Sequence, residues 1–194
     1  MSERISQMLA LLHKVVVLDK KGLVRKSNTE AQQNSISKME KLTNVEKNFL
    51  EMTLLAGVLK IQLRPDLAPN HVKRIKELVS KNFYDGLSFF NVKSGYVAET
   101  GSPDGTTLGG TGTKIKAEIS SNLFVRGVVG MTRDSSDFDS ADSQFFITLG
   151  RAPRLDGKYT IWGEVISGIE VLDTLSSGSP PNEPDQIIKL RLVE

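Results

Sequence analysis

Residues 141–163 read ADSQFFITLGRAPRLDGKYTIWG. Their first half, Ser143-Gln144-Phe145-Phe146-Ile147-Thr148-Leu149, is dense enough in aromatic and β-branched side chains to predict a buried strand. Leu155-Asp156-Gly157-Lys158 predicts a turn, and residues 159–165 predict the strand that follows. A strand that presents both a glutamine and a phenylalanine is suited to line a pocket for an apolar group with a carbonyl attached. The stretch is therefore a candidate binding site.

The flanking sequence is mostly short strands. Leu50, Met52 and Leu54 alternate with polar residues, as do Leu59, Ile61 and Leu63, and Ala56-Gly57 between them predicts a hairpin. Pro69 suits the first turn of a helix whose apolar face is Val72, Ile75, Leu78 and Val79, with Lys73, Arg74, Lys76 and Glu77 opposite. Further strands are predicted at 87–92, 96–100, 128–132 and, by alternation, at 188–192. Ser167-Gly168-Ile169-Glu170 matches a capping box and predicts a second helix, with Val171, Leu172 and Leu175 inward and Gly178 as its stop. Many short strands with two lone helices predict a mainly β fold: a closed antiparallel barrel with covered ends. Residues 101–112 hold five glycines and residues 133–142 four aspartates. Both are longer than ordinary hairpin loops, which points them toward function.

At 194 residues, 39% hydrophobic and 25% charged, the chain has the composition of a soluble globular protein. Its formal net charge of +2 does not argue for nucleic acid. Residues 1–47 carry nine Lys/Arg and five Asp/Glu, a net of +4 that leaves −2 for the remainder, and a modest basic arm of this kind reads as a solvated face. Within it, Ile5, Met8, Leu9 and Leu12 fall at helical spacing, residues 15–24 suit a small hairpin, and 27–47 read as a polar linker. We divide the chain into an extension, 1–47, and a domain, 48–194, with self-association through the extension as one reading of its role. No apolar run approaches the roughly 18 residues of a membrane span, so no stable insertion is expected. The N-terminal apolar run is broken by His13 and Lys14 and lacks a cleavage site, which favours a cytoplasmic location. A periplasmic or membrane-associated one would follow if that run served as a degenerate signal.

The usual catalytic signatures are missing. No cysteine is present, and His13 and His71 are too far apart in sequence for a shared metal site. There is no nucleophile elbow, phosphate loop or zinc-protease motif. The glycines of 105–112 lack a strand-to-helix setting, and the aspartates of 134–142 lack the glycine and glutamate of a calcium loop. Neither metal nor cofactor is expected. Such a protein binds something, or catalyses a step without proton transfer.

Four segments taken together carry a resemblance: Phe83-Tyr84-Asp85-Gly86, Gly127-Val128-Val129-Gly130-Met131, Ser143-Gln144-Phe145-Phe146-Ile147-Thr148 and Leu155-Asp156-Gly157-Lys158. In order and spacing they resemble the cyclophilins, with the bacterial branch nearest, over about residues 49–193. The resemblance implies an eight-stranded barrel capped by two helices, and peptidyl-prolyl cis-trans isomerase activity on proline-containing polypeptides. It further implies that Phe146 floors a proline pocket, that Gln144 contacts the substrate backbone, and that Tyr96 and Leu155 are pocket walls. Val97 stands where the family has methionine, Tyr159 where it has histidine, and Thr132-Arg133 where it has a backbone-binding Ala-Asn pair. Arg154 replaces a tryptophan found in some members, and with Tyr159 it implies weak cyclosporin binding.

One departure concerns the chemistry. The family segment F-H-R-V-I-P-G-F-M reads here Phe89-Phe90-Asn91-Val92-Lys93-Ser94-Gly95-Tyr96-Val97, so the catalytic arginine is Asn91. Glu99 replaces the glutamine that helps hold that arginine. Two functions follow: a slowed prolyl isomerase, or a proline-peptide-binding chaperone module with little turnover.

Overall fold

The computed structural model describes residues 17–18, 24–25 and 48–193. The chain divides into two compact units, Met1–Asn44 and Val45–Glu194. In the first, β1 (Val17–Leu18) and β2 (Val24–Arg25) pair antiparallel with Val17 opposite Arg25, as the hairpin reading expects. The expected N-terminal helical stripe and the polar linker lie outside the described residues.

The second unit is mainly β. Its strands are β3 (Phe49–Leu54), β4 (Gly57–Leu63), β5 (Asn91–Lys93), β6 (Val97–Thr100), β7 (Val128–Met131), β8 (Phe145–Thr148), β9 (Ile161–Ser167) and β10 (Lys189–Val193). They form one eight-stranded sheet in the order β10-β3-β4-β9-β7-β8-β6-β5, with all neighbours antiparallel.

The sheet is curled but not closed, which corrects the expected closed barrel. β5 and β10 stand at opposite ends of the strand order with no ladder between them. Beside β5 runs the segment leading into β10, joined by the single bridges Val92↔Gly178 and Ser88↔Gln186. Pro180, Pro181 and Pro184 occupy that segment, and proline cannot donate an N–H to a ladder. A ninth strand therefore fails to form where closure would need one.

The helix α1 (Pro69–Ser80) starts on a proline and buries His71, Val72, Ile75, Leu78 and Val79. Arg74, assigned by periodicity to the polar face, has an 11% exposed side chain and reaches Asp142. The second helix is also corrected. It is a 3-10 helix, Ile169–Thr174, with no side-chain cap. Ser167, the expected cap, is committed to β9 opposite Lys60, and Gly168 takes the cap position in a left-handed conformation, φ 77°. Gly178, expected as its stop, is instead the bridge partner of Val92.

Side chains alternate across the sheet. Val92, Ala98, Val129, Met131, Phe145 and Ile147 face the main core, which also holds α1 and Trp162. Val97, Val128, Phe146 and Ile161 face the other way and, with Phe124 and Ala152 from the connecting segments, build a second, smaller cluster. That second face carries the candidate site.

Candidate active site

The strand registers bring one row of residues together. Asn91 is opposite Glu99 across β5 and β6, Glu99 is opposite Phe146 across β6 and β8, and Phe146 is opposite Gly130 across β8 and β7. Directly paired residues share a face, so Asn91, Glu99, Phe146 and Gly130 form a line over the sheet's second face. With strands about 4.8 Å apart, Asn91 sits roughly 10 Å from Phe146 along it. Residues separated by up to 55 positions in sequence thus become neighbours.

Phe146 is 3% exposed and seated in the apolar cluster. The ring of Phe124 lies 5.4 Å from it between centroids, and that of Tyr159 5.5 Å away, nearly perpendicular at 87°. Tyr96, Leu155 and Tyr159 are partly buried against the same cluster, and Val97 is within it. The result is a small aromatic and aliphatic basin, packed at its floor and bordered by a half-buried rim of Tyr96, Leu155 and Tyr159. Gly130 makes it possible: a Cβ there would lie 2.7 Å from Phe124 Cε1 and closer still to Phe146 Cζ.

Polar groups flank the basin. Gln144 is 7% exposed, and its Nε2 donates to the carbonyls of Gly109 at 2.5 Å and Thr107 at 3.2 Å. Its Oε1 is buried without a partner, as are Thr132 Oγ1 and Asn91 Oδ1. Such atoms are uncommon in folded proteins, and these three lie on the same face of the sheet as Phe146. Thr132, Arg133 and Gln144 also line a cavity of about 420 Å³, walled on its far side by residues of the glycine-rich and acidic loops.

Those loops are stapled rather than free. Asp142 Oδ2 accepts the backbone N–H groups of Thr111 at 2.6 Å and Gly112 at 2.7 Å, while Oδ1 accepts Arg74 Nη2 at 3.1 Å. These bonds hold its carboxyl below the ordinary range, although burial pulls the other way. Asp134, Asp137 and Asp139 accept, in turn, Ser136, Lys114 and Ala117. The aspartates thus tie loop backbone.

Arg133 has its guanidinium engaged by the carbonyls of Lys158, Asp134 and Ser135, and stacks 4.7 Å from the Tyr159 ring. Its side chain braces a pocket wall. Arg154 is exposed on a 3-10 turn, Pro153–Leu155, at the rim. Glu99 is half-buried; burial raises its carboxyl pKa, opposed by a hydrogen bond from Asn91 and the charge of Lys93.

The residues 49–192 match the family described as cyclophilin type peptidyl-prolyl cis-trans isomerase/CLD. The chain belongs to this family. Among its relatives, a probable peptidyl-prolyl cis-trans isomerase of Brucella suis is 39% identical over 160 residues, 74% of this chain and 81% of that one. Peptidyl-prolyl cis-trans isomerase B of Bacillus subtilis is 35% identical over 125 residues, covering 64% and 87%. A solved cyclophilin of Cryptosporidium parvum, crystallised in the presence of the dipeptide Ala-Pro, superposes with a TM-score of 0.71 at 28% identity, over 75% of this chain and 99% of its own.

For a cyclophilin, the structure adds residues that sequence reasoning missed. Phe124 lies in a segment with no assigned element, where the short apolar run Leu123-Phe124-Val125 is the signal. Gly130 stands out in the sequence only as part of the Gly127–Met131 motif, and its role depends on the ring opposite. The carbonyls that grip Gln144 come from a loop whose composition does not reveal its conformation.

Proposed function

We propose that this cyclophilin isomerises X-Pro bonds in flexible or unfolded polypeptides, with an intact proline grip and a slowed chemical step. The observation that supports it is the row Asn91–Glu99–Phe146–Gly130, which sets an apolar basin beside a polar group that carries no charge. Rotation about an X-Pro bond faces a barrier of about 18–20 kcal/mol from amide resonance, and no covalent bond breaks. The basin holds the proline ring while the preceding carbonyl turns. A donor aimed at the prolyl nitrogen stabilises the lone pair that localises there in the twisted state. Asn91 is shorter than arginine and neutral. Losing a charge-assisted hydrogen bond of about 1.5–3 kcal/mol slows turnover by roughly 10- to 200-fold.

The second reading is a module that grips proline peptides as a chaperone with little turnover, and the neutral Asn91 beside the acidic Glu99 favours it. Exchange NMR on a short Ala-Pro peptide, with wild type and Asn91→Arg, separates the two. Measurable wild-type turnover, raised about 10- to 200-fold in the variant, is expected. An inert wild type rescued by arginine supports the binding module. Equal rates would remove Asn91 from the chemistry, and absence of peptide binding by both would overturn the pocket assignment.

A further inference from the structure

Glu99 is where this site differs most in its electrostatics. It lies between Asn91 and Phe146 in the register row, so its carboxyl borders both the chemical and the gripping halves of the groove. Directly opposite residues of an antiparallel pair lie within side-chain reach, so the Asn91 amide can donate to the Glu99 carboxyl and helps to stabilise its charge. The other end, Oδ1, is buried with no partner. A buried acceptor left unpaired next to a carboxyl group is an incomplete hydrogen bond, and one proton completes it: a protonated carboxyl is a donor as well as an acceptor.

Resting on the isomerase reading above, we propose that Glu99 is a positioning residue whose protonation state decides what Asn91 offers the substrate. When ionised, Glu99 takes the Asn91 Nδ2 hydrogen and places a negative charge beside the point where the prolyl lone pair develops. Both effects oppose the twisted state. When a proton from solvent binds the carboxylate, its O–H donates to Asn91 Oδ1, and the Nδ2 hydrogens are released toward the groove. Turnover then rises on acidification.

The surroundings permit this. From β5 the charged neighbour is Lys93, which favours ionisation. From β8 the opposite residue is Phe146, with Gln144 and Thr148 flanking it on the same face, and from its own strand Val97; none of these carries charge. Burial of the carboxyl outweighs Lys93, so the proton binds more readily than to an ordinary glutamate.

The test is the pH profile of kcat/KM on an Ala-Pro peptide by exchange NMR, from about pH 8 down to about pH 4.5, with the unfolding midpoint followed in parallel. For wild type we expect a rise of roughly 3- to 10-fold toward acid, the worth of one neutral hydrogen bond. Glu99→Gln, whose amide can donate to Asn91 Oδ1 at any pH, should give a flat profile near the acid plateau. A flat wild-type profile, or a Glu99→Gln enzyme slower than wild type throughout, overturns the proposal. A second readout needs no turnover: the Asn91 side-chain amide resonances should titrate with the Glu99 carboxyl carbon and lose that titration in Glu99→Gln. Absence of the coupled titration overturns the proposal. Absence of turnover at every pH, with the titration present, removes the isomerase reading and leaves the Glu99–Asn91 pairing standing.

Discussion

Gly130 lies directly opposite Phe146 across β7 and β8, and the Phe146 ring occupies the volume that any Cβ at position 130 would need. The seat of the Phe146 ring, the floor of the proposed proline pocket, is thus set by an absent side chain. Gly130→Val should overpack this point at a cost of about 1–3 kcal/mol, which lowers the unfolding midpoint by roughly 2–4 °C per kcal/mol in a domain of this size. The displaced ring should weaken binding of an Ala-Pro peptide by about tenfold or more, equivalent to about 1.4 kcal/mol. Calorimetry and an NMR titration check the two effects. Unchanged affinity would show that the ring does not floor the pocket.

His71 and Glu118 predict acid sensitivity. His71 is fully buried, its Nδ1 lies 2.7 Å from Glu118 Oε2, and its Nε2 has no partner. Burial pushes the His71 pKa below its ordinary 6.5, more than the carboxylate raises it. Burial pushes Glu118 up, but the hydrogen bonds from the His71 side chain and the backbone of His71 and Asn70 outweigh it and hold the carboxyl below 4.5. On acidification the unfolded chain therefore takes up protons first at both groups. Stability is fully present above 6.5 and starts to fall below it as unfolded His71 charges. A further loss begins below 4.5 as unfolded Glu118 protonates, and it continues down through the lower folded value. Thermal unfolding between about pH 3 and pH 8 should show both phases, and Glu118→Gln should shrink the second, leaving the share carried by Asp142 and the other carboxyls held low.

Asp142 should govern the loop wall beside Gln144. Its side chain is 16% exposed and its partner Arg74 11% exposed, so Asp142→Ala takes the nearer carboxylate from a mostly buried guanidinium and leaves it Thr111 and the more exposed Glu77. A destabilisation on the order of 3 kcal/mol is expected. The amides of Thr111 and Gly112, which lose their acceptor, should exchange with solvent much faster. Hydrogen exchange at unaffected rates would mean that other contacts hold the loop.

A chain beginning at Asn48 tests the domain boundary. Strands β3 to β10, α1 and the second-face cluster all lie within 48–193. The truncated protein should melt cooperatively within a few degrees of the full chain, a shift of about 1 kcal/mol or less. Loss of cooperative unfolding would assign part of 1–47 to the core.

Much of this was legible in the sequence because local patterns carried it. Period-two alternation at Leu50, Met52 and Leu54 gave β3, and Pro69 gave the start of α1. The resemblance drew the basin residues Tyr96, Val97, Phe146, Leu155 and Tyr159 from four separate strands and turns, and the structure brings them to one cluster. What the pattern missed depends on partners distant in the chain. Arg74 looked like a solvent-facing helix residue because periodicity cannot see Asp142, 68 positions away. The capping box failed because Ser167 had a prior claim in the β9 ladder. Closure of the barrel failed because the count of strands says nothing about whether the two outer ones meet.

That incomplete closure bears on how the site is built. Asn91 opens a three-residue strand at the margin of the sheet, laddered to β6 on one side and bridged only at Val92 and Ser88 on the other. Phe146, by contrast, lies two strands inward, locked between β6 and β7. A marginal strand can exchange a side chain with few knock-on adjustments, whereas an interior one drags its neighbours with it. The scaffold thereby separates what is replaceable from what is fixed: under the proposed isomerase function, speed is tuned at the hem, and recognition is woven into the cloth.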